Sequence, residues 1–173
     1  SLKIGVPREY SFQERRVALV PEAVSLLVAN GHDIKIETKA GENANFSDRA
    51  YSEAGAEIVY DRKEVFECDI VFKVSPPIEE EVDMMGMGQT LISALQINLQ
   101  PKQILQKMMQ KKITAIAWDY MRDDEGHFPV VSAMGEIAGN TSIHIAAELL
   151  NAFKNGKGVM LGGIAGVQPT EVV

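Results

Sequence analysis

Two short apolar runs, Ile70 to Val74 and Thr90 to Ala94, constrain this chain more than any other stretch. Runs of this length read as neighbouring parallel strands buried on both faces. Parallel strands need a crossover between them, so a chain built on such a pair must supply helices in alternation with strands. Ligands of an open α/β sheet sit just past the carboxyl ends of its strands. What stands at these two ends is Lys73 and Ser75 on the first, and Gln96 on the second.

The rest of the chain supplies the alternation. Lys3 to Val6 reads as a strand that stops at Pro7, and Arg8 to Arg16 as a polar loop past its end. Glu22 to Asn30 reads as a helix, with Val24, Leu27 and Val28 on one face and Gly31 as its C-terminal cap. His32 to Glu37 alternates as a half-buried strand. Ser47 is expected to cap a helix running to Glu53, which Gly55 ends. Strands follow at Glu57–Tyr60 and Thr114–Ala117, a turn of helix at Lys63–Glu67, and a short acidic helix within 78–87. Pro101 opens a helix whose Ile104, Leu105, Met108 and Met109 fall at core spacing. The fold class is therefore α/β: a three-layer, mostly parallel open sheet with helices on both faces.

The pattern changes after Asp123. Pro129 to Met134 leads into the longest helical stretch, roughly 136–153, with apolar residues on more than one face. Such a helix is buried between layers, domains or subunits, so self-association through Ile137 to Leu150 is expected. We divide the chain at residue 132: 1–132 is an α/β domain, and 133–173 holds the long helix and the opening of a second domain. Thr170 to Val173 reads as the start of a strand belonging to it.

Composition narrows the function. The net charge of -7 argues against a nucleic-acid partner. No run approaches the roughly 20 apolar residues of a membrane helix, and no secretory signal is visible at the start. The lone Cys68 cannot pair within the chain, so a cytoplasmic setting is expected, with Cys68 a small buried hydrophobe. No metal site is assigned.

Four ordered blocks carry a family resemblance. They are Lys3–Glu9 with Glu14–Pro21; Gly31-His32, Ala40–Glu42, Phe46–Asp48 and Ala54–Ala56; Phe72–Val74 with Pro77; and Met134–Gly139 with Gly156–Gly163, Gly166 and Pro169. Together they span nearly the whole chain. The set resembles alanine dehydrogenases and the soluble NAD-binding part of pyridine nucleotide transhydrogenase, and its framework and hinge are closer to the dehydrogenases. The resemblance implies a two-domain NAD-dependent oxidoreductase acting on a small amino or keto acid. The dinucleotide would be bound mainly by a Rossmann domain beyond Val173, so the chain alone is expected to be inactive and to bind NAD weakly or not at all.

The resemblance also assigns residues. Arg16 aligns with the arginine that grips the substrate carboxylate. From the residues alone, beside Arg15, it reads as a solvated loop arginine. Glu14 either orients Arg16 or is surface charge. Ser75 stands where the dehydrogenases carry a substrate-contacting lysine, and Gln96 where they carry a proton-transferring histidine. A serine hydroxyl brings hydrogen bonds but no charge, and a glutamine amide does not titrate near neutral pH. Both become substrate-binding candidates without acid–base capacity. Lys73 reads as a structural ammonium at the strand end. Met134 and Gly135 lie at the hinge near the cofactor, and Gly135 replaces a common serine. Two other readings stay open: a transhydrogenase-like NAD(H)-binding protein, and a non-catalytic binding or regulatory relative.

Overall fold

The computed structural model describes residues 1–162 and 165–166. The chain falls into two compact units, Ser1–Met121 and Arg122–Val173. The first holds β1 (Lys3–Val6), α1 (Pro21–Ala29), β2 (Asp33–Glu37), α2 (Asp48–Glu53), β3 (Glu57–Val59), α3 (Lys63–Phe66), β4 (Ile70–Phe72), α4 (Glu79–Met84), β5 (Thr90–Ser93), α5 (Lys102–Gln110) and β6 (Thr114–Ala117). All strand pairs are parallel, in the order β3-β2-β1-β4-β5-β6. The chain thus winds outward one way from β1 and then the other way from β4. The connections after β1 and β4 lead to helices on opposite faces of the sheet, and such a switch point is where open α/β sheets form a crevice.

Strand alternation sorts the core into two layers. Ile4, Val6, Ile34 and Ile36 pack with Val24 of α1 and Tyr51 of α2. Val71, Leu91 and Val59 face the other way, onto Val65 and Phe66 of α3, Val82 of α4, and Ile104 and Met108 of α5. Gly5 lets α3 come against the sheet: a Cβ there would overlap the Val65 carbonyl. The α1/α2 layer covers β1 to β3 best. On its side of β5 and β6, Thr90 and Ile92 stay half-exposed and Ile116 is 40% exposed.

Local chemistry fixes the element ends. Ser47 caps α2, its Oγ accepting from the Ala50 N–H at 3.2 Å. After α1, Gly31 has φ +84°; its N–H donates to the Val28 carbonyl and that of His32 to Leu27. Gly55 ends α2 the same way. Lys112 does so after α5, with a φ of +53° that costs a side-chain-bearing residue. The free carbonyls ending α4 go to Lys111, whose Nζ donates to Val82, Asp83 and Met85 at 2.6–2.8 Å.

Several expectations shift. The fourth strand ends at Phe72 rather than Val74, although Lys73 and Ala94 extend the ladder by N–H bonds to Ile92 and Val74. Pro101 precedes α5 instead of opening it, and Met109 is 76% exposed and outside the core. Cys68 is buried, and its thiol is pushed up to about 11 by desolvation.

The second unit is dominated by α6 (Pro129–Leu150). It begins earlier than the sequence pattern indicates. Pro129 takes the first helical position, where its missing N–H costs nothing. None of its described side chains is buried; Ile137, Ile143, Ile145 and Leu149 are 51–67% exposed. Of the last family block, Gly163 and Pro169 lie outside the described residues, as does the expected strand opening at Thr170–Val173.

Candidate functional site

At the junction of β1 and β4, the loop after each strand delivers charged residues to one edge. Glu9 follows β1 and is buried. Its Oε1 accepts the Val74 N–H at 2.5 Å and the Ser75 N–H at 3.4 Å. Its Oε2 is buried without a hydrogen bond, 3.6 Å from Lys73 Nζ. Burial pushes the Glu9 carboxyl above the usual carboxylate range, against the pull of Lys73 and of the Val74 N–H.

Lys73 is 2% exposed and turned inward. Its ammonium donates to Glu81 Oε2 at 2.8 Å and to the Pro76 carbonyl at 3.4 Å. Glu81 also accepts the Ile78 N–H at the start of α4, and its Oε1 pairs with Arg62 at 2.5 Å. Arg62 lies 3.5 Å from Glu37 and stacks over Tyr10, whose hydroxyl donates to Glu37. Three carboxylates and two cations thus form one buried network beneath the strand ends. Lys73 is a structural ammonium, with its hydrogen bonds spent inside the fold.

Arg16 lies in the loop past β1, half-exposed. Its Nε donates to Glu14 Oε1 at 2.8 Å and its terminal nitrogen to Oε2 at 2.7 Å. This fork-to-fork pair holds the guanidinium in one plane. The hydrogen bond from Arg16 keeps the Glu14 carboxyl below its usual range, and Glu14 raises Arg16 in turn. Glu14 Oε2 also stands 3.5 Å from Ser75 Oγ. The structure therefore brings Arg16, Glu14, Ser75 and Glu9 to one edge.

Gln96 stands at the end of the neighbouring strand, exposed, with φ +43°. Its N–H and that of Leu95 donate to the two oxygens of Asp119, each at 3.0 Å. Trp118 Nε1 donates to the Val74 carbonyl at 3.2 Å, so the turn after β6 also ties down the end of β4. Nothing in the sequence pattern marks Glu9 or Asp119, although each is a carboxylate just past a strand end. Met134 and Gly135 lie inside α6, where helix bonds occupy the backbone N–H groups. Among the described residues no glycine-rich turn leads from a strand into a helix.

The order of the strands defines an open, parallel α/β domain with its switch point between β1 and β4. The chain belongs to the family described as alanine dehydrogenase/PNT, N-terminal domain, whose model matches residues 5–138. It is 40% identical over 171 residues to an alanine dehydrogenase of Methanococcus maripaludis, and 37% identical to alanine dehydrogenase 2 of Staphylococcus aureus. These alignments cover 98% and 99% of this chain but 46% of each relative. The chain thus spans about half the length of the curated relatives it matches. A solved L-alanine dehydrogenase superposes with a TM-score of 0.91 at 37% identity, covering 97% of this chain and 46% of that one. A transhydrogenase from Sinorhizobium meliloti gives a TM-score of 0.64 at 24% identity over 69% of this chain and 35% of its own, and shares the fold. No described helix is long and apolar enough to cross a membrane.

Proposed function

We propose that the whole protein is an oxidoreductase of the alanine dehydrogenase type, interconverting L-alanine, or a close relative, with its 2-oxo acid. The observation that carries the reading is Arg16, braced by Glu14 past the carboxyl end of β1, beside the end of β4, within a chain 40% identical to an alanine dehydrogenase. A braced guanidinium suits a substrate carboxylate. Ser75 Oγ and the Gln96 amide are the neutral hydrogen-bonding groups proposed to complete the substrate pocket. Lys73 takes no part, because Glu81 and the Pro76 carbonyl hold its ammonium inside. NAD is the proposed cofactor, bound mainly outside the described residues, and a small amino or keto acid the proposed partner. The domain reading, 1–132 for substrate and 133 onward for the crossing helix and dinucleotide domain, goes with this assignment, with Met134 and Gly135 near the dinucleotide. The exposed apolar face of α6 supports a homo-oligomer built through that helix.

The test is NADH oxidation by the full-length protein with pyruvate and ammonia. Turnover is expected. Its absence in folded, dinucleotide-binding protein removes the reading. Ser75 and Gln96 do not titrate near neutral pH, and that favours one alternative: a relative that binds the carboxylate without turning it over. In that case Ser75→Lys with Gln96→His creates activity that the natural chain lacks.

A further inference from the structure

Two carboxylates do parallel work at the sheet edge. Glu9, past β1, takes the N–H groups of Val74 and Ser75 at the end of adjacent β4. Asp119, past β6, takes those of Leu95 and Gln96 at the end of adjacent β5. Each reaches across one strand to two consecutive N–H groups, and each pair ends on a residue bordering the proposed pocket. We propose that Glu9 and Asp119 are the positioning residues of this pocket, Glu9 setting Ser75 and Asp119 setting Gln96. The proposal rests on the carboxylate-binding reading above.

Three observations support it. The acceptors are charged, so their bonds are stronger and more directional than a carbonyl's. Gln96 has a left-handed φ of +43°, a conformation that needs outside support in a residue with a side chain, and the Asp119 carboxylate bonds to both N–H groups around it. Glu9 is buried and its Oε2 has no hydrogen-bond partner, so its placement serves the bonds that Oε1 makes to Val74 and Ser75. Charge alone would be neutralised more completely by a second contact to Lys73.

The test uses the full-length protein and near-isosteric variants. Asp119→Asn keeps one carbonyl acceptor but turns an amide N–H toward a backbone N–H. Hydrogen exchange is expected to speed up at least tenfold in the segment 94–99 and to stay unchanged in β1 and β2. The KM for the 2-oxo acid rises about tenfold while that for the dinucleotide is unchanged. In a Gln96→Ala background, Asp119→Asn adds less than twofold, because it acts through Gln96. The same cycle applies to Glu9→Gln with Ser75→Ala and the segment 73–77; if Glu9→Gln does not fold, the Asp119 cycle decides. Unchanged exchange at 94–99 overturns the proposal whether or not the wild type turns over. Additive effects on KM also overturn it, as they would mark a merely structural carboxylate. A wild type that binds pyruvate without turnover rejects the catalytic reading alone, and the cycle is then read from pyruvate Kd.

Discussion

Replacing Lys73 with methionine is the sharpest perturbation of the buried network. Met matches the stem of lysine and removes only the ammonium. Two carboxylates lose a cation: Glu81, bonded at 2.8 Å, and Glu9, at 3.6 Å. All three side chains are 2–3% exposed, so solvent screens little of the loss. Removing one partner of a buried ion pair costs about 3–5 kcal/mol. Glu81 keeps Arg62 and the Ile78 N–H, which puts the expected value near the lower end, about 3 kcal/mol. With a urea slope of about 2 kcal/mol/M, the unfolding midpoint falls by about 1.5 M. Trp118, the single tryptophan, reports on the first unit by fluorescence. The loss has a pH signature. A buried carboxylate without its cation binds its proton more tightly folded than unfolded, so stability falls as pH rises above the ordinary value of 4.5. The variant's deficit is therefore larger at pH 8 than at pH 5. Adding Glu9→Gln removes one stranded charge and recovers part of it. A midpoint shift under 0.4 M, or a deficit that shrinks with rising pH, refutes the reasoning.

Other expectations follow from single sites. Gly5→Ala forces a methyl into the Val65 carbonyl, with no flexible side chain to yield, and costs about 3 kcal/mol in urea unfolding. Lys112→Gly relieves a left-handed φ at the end of α5 and adds about 0.5–1 kcal/mol by the same measurement. Glu14 has a folded pKa below its ordinary 4.5, so its contribution is present above that value and fades as pH falls through the folded one; Glu14→Gln flattens this acid limb and weakens pyruvate binding about tenfold by calorimetry. Glu substituted at both Ile143 and Leu149 lowers the oligomeric state in sedimentation if α6 joins the subunits.

The alternation of strands and helices was legible because parallel strands announce themselves as short apolar runs, and Ile70–Val74 and Thr90–Ala94 fell where β4 and β5 stand. Helix ends at Ser47, Gly31 and Gly55 were legible because capping uses few residue types. The inward turn of Lys73 agreed with its reading as a structural ammonium, but its partner Glu81 was hidden in an acidic run that reads as solvated surface. Met109 was misplaced because a nine-residue helix has room for a narrow buried stripe, and periodicity alone does not tell its edge from its centre. Glu9 and Asp119 were missed because their partners are backbone N–H groups 65 and 24 residues away, and backbone bonding leaves no trace in side-chain pattern. The early start of α6 at Pro129 follows from proline's fitness for a first turn, which the polar segment before it obscured.

In the proposed function Arg16 receives the substrate carboxylate. That role is tested most directly by initial rates of NADH oxidation with pyruvate and ammonia, comparing the full-length protein with its Arg16→Gln variant. Turnover is expected of the natural protein, with a loss of about 100-fold in kcat/KM for pyruvate in the variant, roughly 2.7 kcal/mol, and dinucleotide binding unchanged. Equal kcat/KM values in the two proteins would contradict it.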